Sequence, residues 1–531
     1  MGYNQMFHRK KLSLHVMSQD LHREHNLRIA KNTLMLYFRM FFMMLLGLFT
    51  SRLVLEALGE DDYGVYNVVG GVVAMFTVIS GSMSTSASRF ITFELGKGSS
   101  AQLNKVYSTT VTIQFLISLL VAILAEPIGM WFIDNKMHID QARIPAAHLV
   151  LHCSLLSFVV NLMSVPQMAL ITAHEKMTSY AYIGVFEGVL RFAVALIISH
   201  YEPDKIRLIV YAVLMTVSVI LVRMAYGLYC RKTFPECRYR PVYDKALFKE
   251  MFSFAGWNFI GSVSGVLRDQ GGNILVNLFS NTAVNAARGV AVQLNGAILS
   301  FVTNFMTAVN PQITKSYAAG DKEYMFSLMR KASRMSFYLL FIISLPILFN
   351  TEYVMQLWLK DVPEDAPIFM KLFLIFTLSE CISLPLITAM FATGKVRDYQ
   401  LVVGGIQLLN LPISYVLLTI FDDMPEITVI VAIALSQICL FVRLAMLKKT
   451  VGLSPMEFIK RVYFNVVGVG AVAVILPLYF SLLEVDGLHG FIIKFSIALI
   501  SAFVTVALIG CTQSERKQAY NFIKSKLIRK G

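Results

Sequence analysis

The chain has 531 residues, of which 56% are hydrophobic and only 15% are charged. A soluble protein of this length would carry about 25% charged residues to cover its surface. The mean hydropathy of +0.63 and the recurring runs of about 20 apolar residues, each long enough to cross a hydrocarbon core about 30 Å thick, exclude a soluble globular protein. They indicate a polytopic membrane protein.

Fourteen such runs divide the chain, and all are predicted to be helices, because an open sheet edge cannot be satisfied in lipid. In chain order they lie near residues 32–54, 64–88, 107–126, 147–172, 178–199, 207–229, 251–279, 283–310, 333–349, 367–391, 399–420, 427–447, 462–482 and 490–511. The segments between them are too short for a separate soluble domain. The predicted fold class is therefore an all-α membrane protein with about 14 transmembrane helices.

Basic residues set the predicted orientation. With the N-terminus in the cytoplasm, the inner segments hold 33 Lys and Arg against 12 Asp and Glu. The outer loops hold 18 acidic residues and five basic ones, which are Lys136, Arg143, Lys205, Arg207 and Lys360. This asymmetry follows the positive-inside rule and places both termini in the cytoplasm. The net charge of +14 is thus mostly a topology signal, with some attraction to anionic membrane lipids, and requires no nucleic acid.

The N-terminal tail and the cysteines suggest no further chemistry. The first 31 residues are hydrophilic, and the first apolar run is too long for a signal peptide. Their four histidines, at positions 8, 15, 22 and 25, have no carboxylate or cysteine cluster beside them, so a solvated segment is favoured over a metal site. Cys230 and Cys237 share a cytoplasmic loop, where a disulfide is not expected. We predict no metal and no cofactor.

Two stretches recur along the chain. RFITFELGKG (89–98) matches PQITKSYAAG (311–320) at an offset of 222, and PQMALITAHEKMTSY (166–180) matches PLITAMFATGKVRDY (385–399) at 219. Their order and near-constant spacing indicate an internal repeat of six helices. Because six is an even number, the halves are parallel, and a substrate site is expected at their interface.

The repeat predicts that the chain is divided into six segments. These are a cytoplasmic tail (1–31), an N-lobe of helices 1–6 (32–229), a cytoplasmic linker (230–250), a C-lobe of helices 7–12 (251–449), helices 13–14 (450–511) and a basic cytoplasmic tail (512–531).

The seventh span contains VLRDQGGNILVN (266–277), with Arg268 near its midpoint. A charge at the bilayer centre costs roughly 2.5–3.5 kcal/mol. Asp269 points about 100° away around the helix, so we expect no direct pairing between the two neighbours. We interpret Arg268 as a cation facing a water-filled path, where it awaits an anion. A buried ion pair with another helix is the alternative.

The eighth span has a polar side as well, and the second contains GSMSTSASR (81–89). The polar and small residues of the eighth span are Asn285, Gly289, Gln293, Gly296, Ser300, Thr303, Asn304, Thr307 and Asn310. Together these surfaces predict a wet cavity. For the glycines and serines taken alone, close helix packing is the favoured interpretation.

Other charged residues within the spans have simpler interpretations. Glu187 and Arg191 have the i,i+4 spacing of a structural pair. Arg39 lies about two turns inside the first span, from where it can snorkel to the interface. Arg52 lies four residues from an acid, so a structural pair competes with a ligand contact. Glu380 is expected either to be protonated or to pair with an arginine.

Four stretches carry a resemblance that covers essentially the whole chain. They are LGEDDYGVYNVVGGVV (58–73), FSFAGWNFIGSVSGVLRDQGGNILVN (252–277), AVNAARGVAVQLNGAILSFVTNFMTAVNPQITKSYAAGD (283–321) and LWLKDVPEDAP (357–367). In these the chain resembles polysaccharide transporters of the oligosaccharide-lipid flippase family, whose superfamily also holds multidrug and toxin extruders (MATE). The resemblance implies two six-helix lobes with two extra C-terminal helices. It also implies translocation of polyprenyl-pyrophosphate-linked oligosaccharides across the bacterial inner membrane for surface polysaccharide such as O-antigen, lipopolysaccharide or capsule.

A cavity that binds such a substrate needs cations for the diphosphate and hydrogen-bonding groups for the sugars. The candidate residues are Arg268, Asp269, Gln270, Asn273, Asn277, Arg288, Gln293, Asn304, Arg39 and Arg52. The expected partners are the lipid-linked oligosaccharide, membrane lipids, H⁺ or Na⁺ as a coupling ion, and a glycan polymerase with its export machinery.

Two other functions compete with this interpretation. A Na⁺- or H⁺-coupled drug or metabolite antiporter of the same fold would favour acids in the spans, which hold only Asp269, Glu187 and Glu380. A membrane enzyme such as a glycan polymerase would need a catalytic constellation, and commonly a large outer loop. Neither is found in the sequence, so no enzymatic activity is expected.

Overall fold

The computed structural model describes residues 2–74, 76–136, 141–201, 206–241, 244–280, 282–359, 361–421, 424–482 and 487–517. Every regular element within these ranges is a helix, which confirms the predicted all-α fold class. Most of the predicted C-terminal tail lies beyond residue 517, outside the described residues.

The N-terminal part of the chain contains seven α-helices. They are α1 (Gly2–Ala74), α2 (Thr77–Lys97), α3 (Ser100–Lys136), α4 (Ile144–Met163), α5 (Val165–Ala173), α6 (Met177–Ser199) and α7 (Arg207–Thr233). A break at Gly59, with φ 76° and ψ 170°, divides α1 into the first predicted span and the beginning of the second. Since α1 begins at Gly2, residues 2–31 of the predicted tail continue into the first span as one helix.

The remaining α-helices begin with the two polar spans, α8 and α9. The full set is α8 (Lys245–Phe279), α9 (Thr282–Ala318), α10 (Lys322–Phe349), α11 (Thr351–Trp358), α12 (Ala366–Cys381), α13 (Leu384–Ala392), α14 (Val396–Leu408), α15 (Asn410–Ile420), α16 (Ile427–Val451), α17 (Pro455–Phe458), α18 (Phe464–Ser481) and α19 (Gly487–Thr505). Short 3₁₀ turns occupy Gln141–Arg143 and Pro235–Cys237, and π-helical turns occupy Ile459–Tyr463 and Val506–Gly510.

Twelve helical segments of the described chain are long and apolar enough to cross a membrane. The predicted count of 14 is therefore not confirmed. The two predicted spans outside this set lie near 64–88 and 251–279, and both are helical but polar. The second of them is α8, whose 35 residues are more than enough to cross a membrane, so it is excluded because it is not apolar enough. These two spans held two of the three polar surfaces singled out in the sequence.

The chain forms two compact units. The first comprises residues 1–255 and 307–311, and the second comprises residues 256–306 and 312–531. The predicted tails, linker and lobe boundaries stay predictions.

The internal repeat reappears in the local structure of the helices. Pro127 lies inside α3 and Pro346 inside α10, at an offset of 219. At the same offset, Ser164 separates α4 from α5, and Ser383 separates the end of α12 from α13. Each serine is followed two residues later by a proline, which cannot donate the hydrogen bond that would continue the preceding helix.

The turns after these helices also correspond. Gly98 and Gly320, which follow α2 and α9, adopt φ values of 77° and 78°. Gly394 precedes α14 with φ 76°, and Glu175, at its equivalent position before α6, adopts φ 57°. Among the described residues Glu175 is the one non-glycine with positive φ. The same left-handed turn is thus formed by a glycine in one half and by a glutamate, which adopts this conformation less readily, in the other.

Candidate functional site

Two arginines and one aspartate of the second unit form what we call the arginine cluster: Arg268, Asp269 and Arg288. Arg268 Nε donates to Asp269 Oδ1 at 2.9 Å, and Arg288 Nη2 donates to the backbone oxygen of Asp269 at 3.3 Å. The cluster joins α8 to α9, and its formal charge is +1 because it contains two guanidinium groups and one carboxylate.

The expectation that Asp269 would not pair directly with Arg268 is wrong. Their Cβ atoms diverge by about 100° around the helix, but the arginine side chain is long enough for its Nε to reach the neighbouring carboxylate. The two ends of the pair differ in exposure: 16% of the Arg268 side chain is exposed, against 63% for Asp269.

Arg288 is the more deeply buried arginine, with 5% of its surface exposed. Its Nε has no hydrogen-bond partner in the described structure. A Cβ atom at Gly272 of α8 would lie 2.9 Å from Arg288 Nη2, so glycine at this position lets the guanidinium lie against the helix without shifting. The sequence did not predict this role of Gly272.

Two phenylalanine rings of α12 support the cluster. The Arg268 guanidinium carbon lies 5.1 Å from the ring centre of Phe376, and that of Arg288 lies 5.4 Å from the ring centre of Phe373. Such cation–π contacts contribute about 0.5–2 kcal/mol each and fix the direction of the planar group. The rings hold the two cations in place without neutralising them.

Other candidate residues of α8 and α9 lie outside the cluster. Asn273 Nδ2 donates to Gln270 Oε1 at 3.0 Å along α8, and Asn277 is exposed. On α9, Gln293 is exposed, and Asn304 Nδ2 donates to the backbone oxygen of Ser300 at 2.8 Å. The structure thus joins three of the ten candidates.

The polar side of α9 is exposed in the described structure. Gly289, Gln293, Gly296 and Thr303 are exposed, whereas Ile298 on the other side is buried. The apolar side of α9 therefore packs within the protein. The helix α8 behaves differently, since its apolar residues Leu267, Ile274 and Leu278 are exposed.

Arg39 and Arg52 belong to the first unit. The guanidinium carbon of Arg39 lies 4.5 Å from the ring centre of Tyr180, and its side chain fills the space beside Gly184 of α6. Arg52 donates to Glu56 Oε1 at 2.8 Å, and 80% of its side chain is exposed. Their contacts are therefore those of helix packing and of an i,i+4 pair.

Sequence analysis missed the partner of Glu380. Arg443 of α16 is 2% exposed, and its Nη1 lies 3.7 Å from Glu380 Oε1 of α12. Its Nε donates to the hydroxyl oxygen of Tyr399 at 3.3 Å. Of the two alternatives for Glu380, pairing with an arginine is therefore the one that the structure shows.

The remaining intramembrane acid, Glu187, accepts a 2.6 Å hydrogen bond from Arg191, as its spacing predicted. All three acids that the sequence places within the spans thus pair with arginines. Within the described residues, no group of three or more His, Cys, Asp or Glu could hold a metal ion.

Comparison with known proteins identifies the family. The family model described as "Polysaccharide biosynthesis protein" matches residues 29–317, and the MatE model matches residues 271–416. The uncharacterized membrane protein EpsK of Bacillus subtilis (strain 168) is 22% identical over 293 residues, which are 55% of this chain and 57% of EpsK. The match thus spans little more than half the length of this relative.

Solved structures of MATE transporters share the fold. A multidrug resistance MATE family transporter in an outward-facing conformation superposes with a TM-score of 0.68 at 11% identity, covering 79% of this chain and 94% of the other. The MATE transporter ClbM in complex with Rb⁺ gives 0.65 at 13% identity, covering 82% and 97%. Since the first family model covers more than half of the 531 residues, the chain is a multi-pass membrane protein that belongs to the polysaccharide biosynthesis protein family and has the MATE fold.

Proposed function

We propose that the protein translocates a polyprenyl-pyrophosphate-linked oligosaccharide across the bacterial inner membrane, for the synthesis of surface polysaccharide. The observation that carries this proposal is the arginine cluster, in which two guanidinium groups are held beside a single aspartate, one at its carboxylate and one at its backbone oxygen. The family match supports the same assignment.

The cluster has the chemistry that a diphosphate needs. Arginine binds phosphate oxygens through paired N–H donors, and charge-assisted hydrogen bonds of this kind are about twice as strong as neutral ones. In the described arrangement the Asp269 carboxylate contacts Arg268, and Arg288 contacts the backbone oxygen of the same residue. A diphosphate carries more negative charge than this carboxylate, so it would displace Asp269 and neutralise both cations.

The exposed polar side of α9 suits the sugars. Amide and hydroxyl groups such as those of Gln293 and Thr303 donate and accept hydrogen bonds, so they can bind sugar hydroxyls of differing arrangement. In this proposal the diphosphate binds the arginine cluster, the sugars contact α9, and the lipid tail stays in the bilayer. In the same proposal, the substrate is translocated by alternating access, and this movement is coupled to H⁺ or Na⁺.

A drug or metabolite antiporter is the second candidate, and the pairing of the acids counts against it. A cationic ligand needs a carboxylate to receive it, but Glu187, Asp269 and Glu380 already contact Arg191, Arg268 and Arg443. The arginine cluster instead leaves an excess of positive charge, which favours an anionic substrate.

Arginine substitutions test the proposal. Arg268→Ala and Arg288→Ala should each lower glycan export by about tenfold or more while the protein stays inserted in the membrane, because each removes a charge-assisted contact. Arg268→Lys should retain partial activity, since the charge survives but the paired donors are lost. Export and membrane abundance are measured in the same cells.

The matched control is Arg461→Ala, which removes an arginine that is 68% exposed and pairs with Glu457 along its own helix. It should leave export unchanged. Normal export by Arg268→Ala, or a loss of export explained entirely by degradation of the protein, would contradict an anion site at this cluster.

A further inference from the structure

A cavity of about 300 Å³ lies within the first unit, between the end of α1 and helices α2, α4, α6 and α7. Its polar lining includes Tyr66, Ser154, Ser157, Asn161, Arg191 and Thr216. Small-molecule sites have volumes of roughly 300–1,000 Å³, so a cavity of this size suits a ligand about as large as one sugar ring.

The charges at the cavity are balanced. Among the described residues that line it, Arg191 is the one with a charge, and its Nη2 donates to Glu187 Oε1 at 2.6 Å. Because this carboxylate neutralises the guanidinium, an ion that entered the cavity would lose its hydration without gaining an opposite charge. The cavity therefore favours a neutral ligand.

Hydrogen-bonding groups of α4 are available to such a ligand. Ser154 forms no hydrogen bond with another residue of the described chain. Asn161 accepts through Oδ1 from Arg223 Nε at 2.7 Å, and its side-chain nitrogen is left without a partner among the described residues. Ser157 Oγ donates to Thr216 Oγ1 at 3.2 Å and can still accept. Polar groups in a protein interior are nearly always satisfied, here by water or by a ligand that can form hydrogen bonds.

These groups include both donors and acceptors, as a sugar requires. A sugar hydroxyl donates and accepts, so it can bond to a serine hydroxyl and to an amide nitrogen alike. A lipid chain would leave the same groups unsatisfied. The ring of Tyr66, which lies edge-on to Tyr211 with ring centres 4.8 Å apart, adds an apolar surface against which the carbon face of a sugar can pack.

The internal repeat shows why the first unit has space here. At an offset of 219, the serines of the cavity, Ser154 and Ser157, correspond to Phe373 and Phe376. In the second unit these two phenylalanines support the arginine cluster. The first unit therefore has small hydroxyl side chains where the second has bulky rings.

We infer that this cavity binds a neutral sugar, a ligand of one uncharged ring with several hydroxyl groups. The hydroxyls of Ser154 and Ser157 and the amide nitrogen of Asn161 bond to the sugar hydroxyls, and the ring of Tyr66 packs against the carbon face of the sugar. The ligand is either a free sugar or a neutral sugar unit of the translocated glycan. Only the second source rests on the proposed function.

Nuclear magnetic resonance titrations that detect saturation transfer from the purified full-length protein to a weakly bound sugar test the inference. The probes are four neutral sugars, which are glucose, galactose, mannose and N-acetylglucosamine, and the charged sugar glucuronate. At least one neutral sugar should bind saturably. Glucuronate should bind at least about tenfold more weakly than that sugar, because its carboxylate meets no unbalanced positive charge in the cavity.

Two variants of α4 locate the binding site. Ser157→Phe copies the residue of the second half and fills the cavity, so it should weaken binding of the neutral sugar at least about tenfold. Ser154→Ala removes one hydroxyl and should weaken it about fivefold. The matched control is Leu156→Phe on the same helix, because Leu156 is 49% exposed and does not line the cavity. This control should bind the sugar normally.

Thermal unfolding of each variant shows whether it is folded. If Ser157→Phe does not fold, the unmodified protein and Ser154→Ala still decide the question. Saturable binding of none of the four neutral sugars, tighter binding of glucuronate than of the neutral sugars, or unchanged binding by the folded cavity variants would each overturn the inference.

Two further measurements separate the sources and the two proposals. Export by folded Ser157→Phe is lost if the ligand is part of the glycan and persists if it is a free sugar; either result, combined with weakened sugar binding, supports the site. Arg268→Ala should still bind the sugar, since Arg268 belongs to the second unit. Failure of glycan export therefore leaves the cavity testable by binding alone.

Discussion

Removing Glu380 alone should destabilise the second unit, because it leaves the buried Arg443 cation without its carboxylate partner. Arg443 is 2% exposed, and the two charges lie 3.7 Å apart. At an effective dielectric constant of about 20, two unit charges at this separation attract by about 4 kcal/mol. This value agrees with the roughly 3–5 kcal/mol measured when one member of a buried ion pair is removed. We therefore expect Glu380→Gln to lower the free energy of unfolding by about 4 kcal/mol.

Thermal unfolding of the purified protein and its abundance in the membrane measure the effect. The control is the double variant Glu380→Leu/Arg443→Met, which removes both charges and should recover most of the lost stability. If Glu380 has only this structural role, the double variant should also export glycan. An unchanged unfolding temperature for Glu380→Gln would refute the electrostatic reasoning, and a stable double variant that cannot export would assign Glu380 a role in transport.

Three further substitutions test particular contacts. Gly272→Ala should lower glycan export less than Arg288→Ala does, at normal membrane abundance, because its Cβ would lie 2.9 Å from Arg288 Nη2 and shift the guanidinium slightly. Gly265→Ala on the same helix, with nothing within 4 Å, should export normally. Gly184→Ala should lower the unfolding temperature by an amount that corresponds to about 1–3 kcal/mol of overpacking, and adding Arg39→Ala, which removes the clashing side chain, should reverse this loss. Glu175→Gly should lower stability, because the loss of a buried carboxylate that lies 3.8 Å from Arg28 outweighs the relief of a φ of 57°; a gain in stability would show that the backbone strain is the larger effect.

Sequence reasoning recovers features that depend on local composition. The apolar runs predict the helices, and the repeat indicated by the sequence extends in the structure to positions outside the matched stretches, such as Pro127 and Pro346. The count of 14 spans is not recovered, because α8 and the span near 64–88 are not among the twelve described helices that are long and apolar enough to cross a membrane. The helix α9 also has a polar side but is among the twelve, so a polar side alone does not decide the count.

Side-chain pairing between helices could not be read from the sequence. Glu380 and Arg443 are 63 residues apart, and nothing in their spacing distinguishes this pair from other acid–arginine combinations. The pairing of Arg268 with Asp269 was missed for a different reason. Helical projection gives the direction of Cβ but not the reach of a side chain with several rotatable bonds.

The proposed function requires the protein to move a lipid-linked oligosaccharide from the inner to the outer leaflet. Deleting the gene and measuring which leaflet holds the lipid-linked intermediate is the most direct test. The intermediate should accumulate in the cytoplasmic leaflet of the deletion strain, the intact gene should restore export, and the Arg268→Ala variant should not. Normal export by the deletion strain, or accumulation of the intermediate in the outer leaflet, would contradict it.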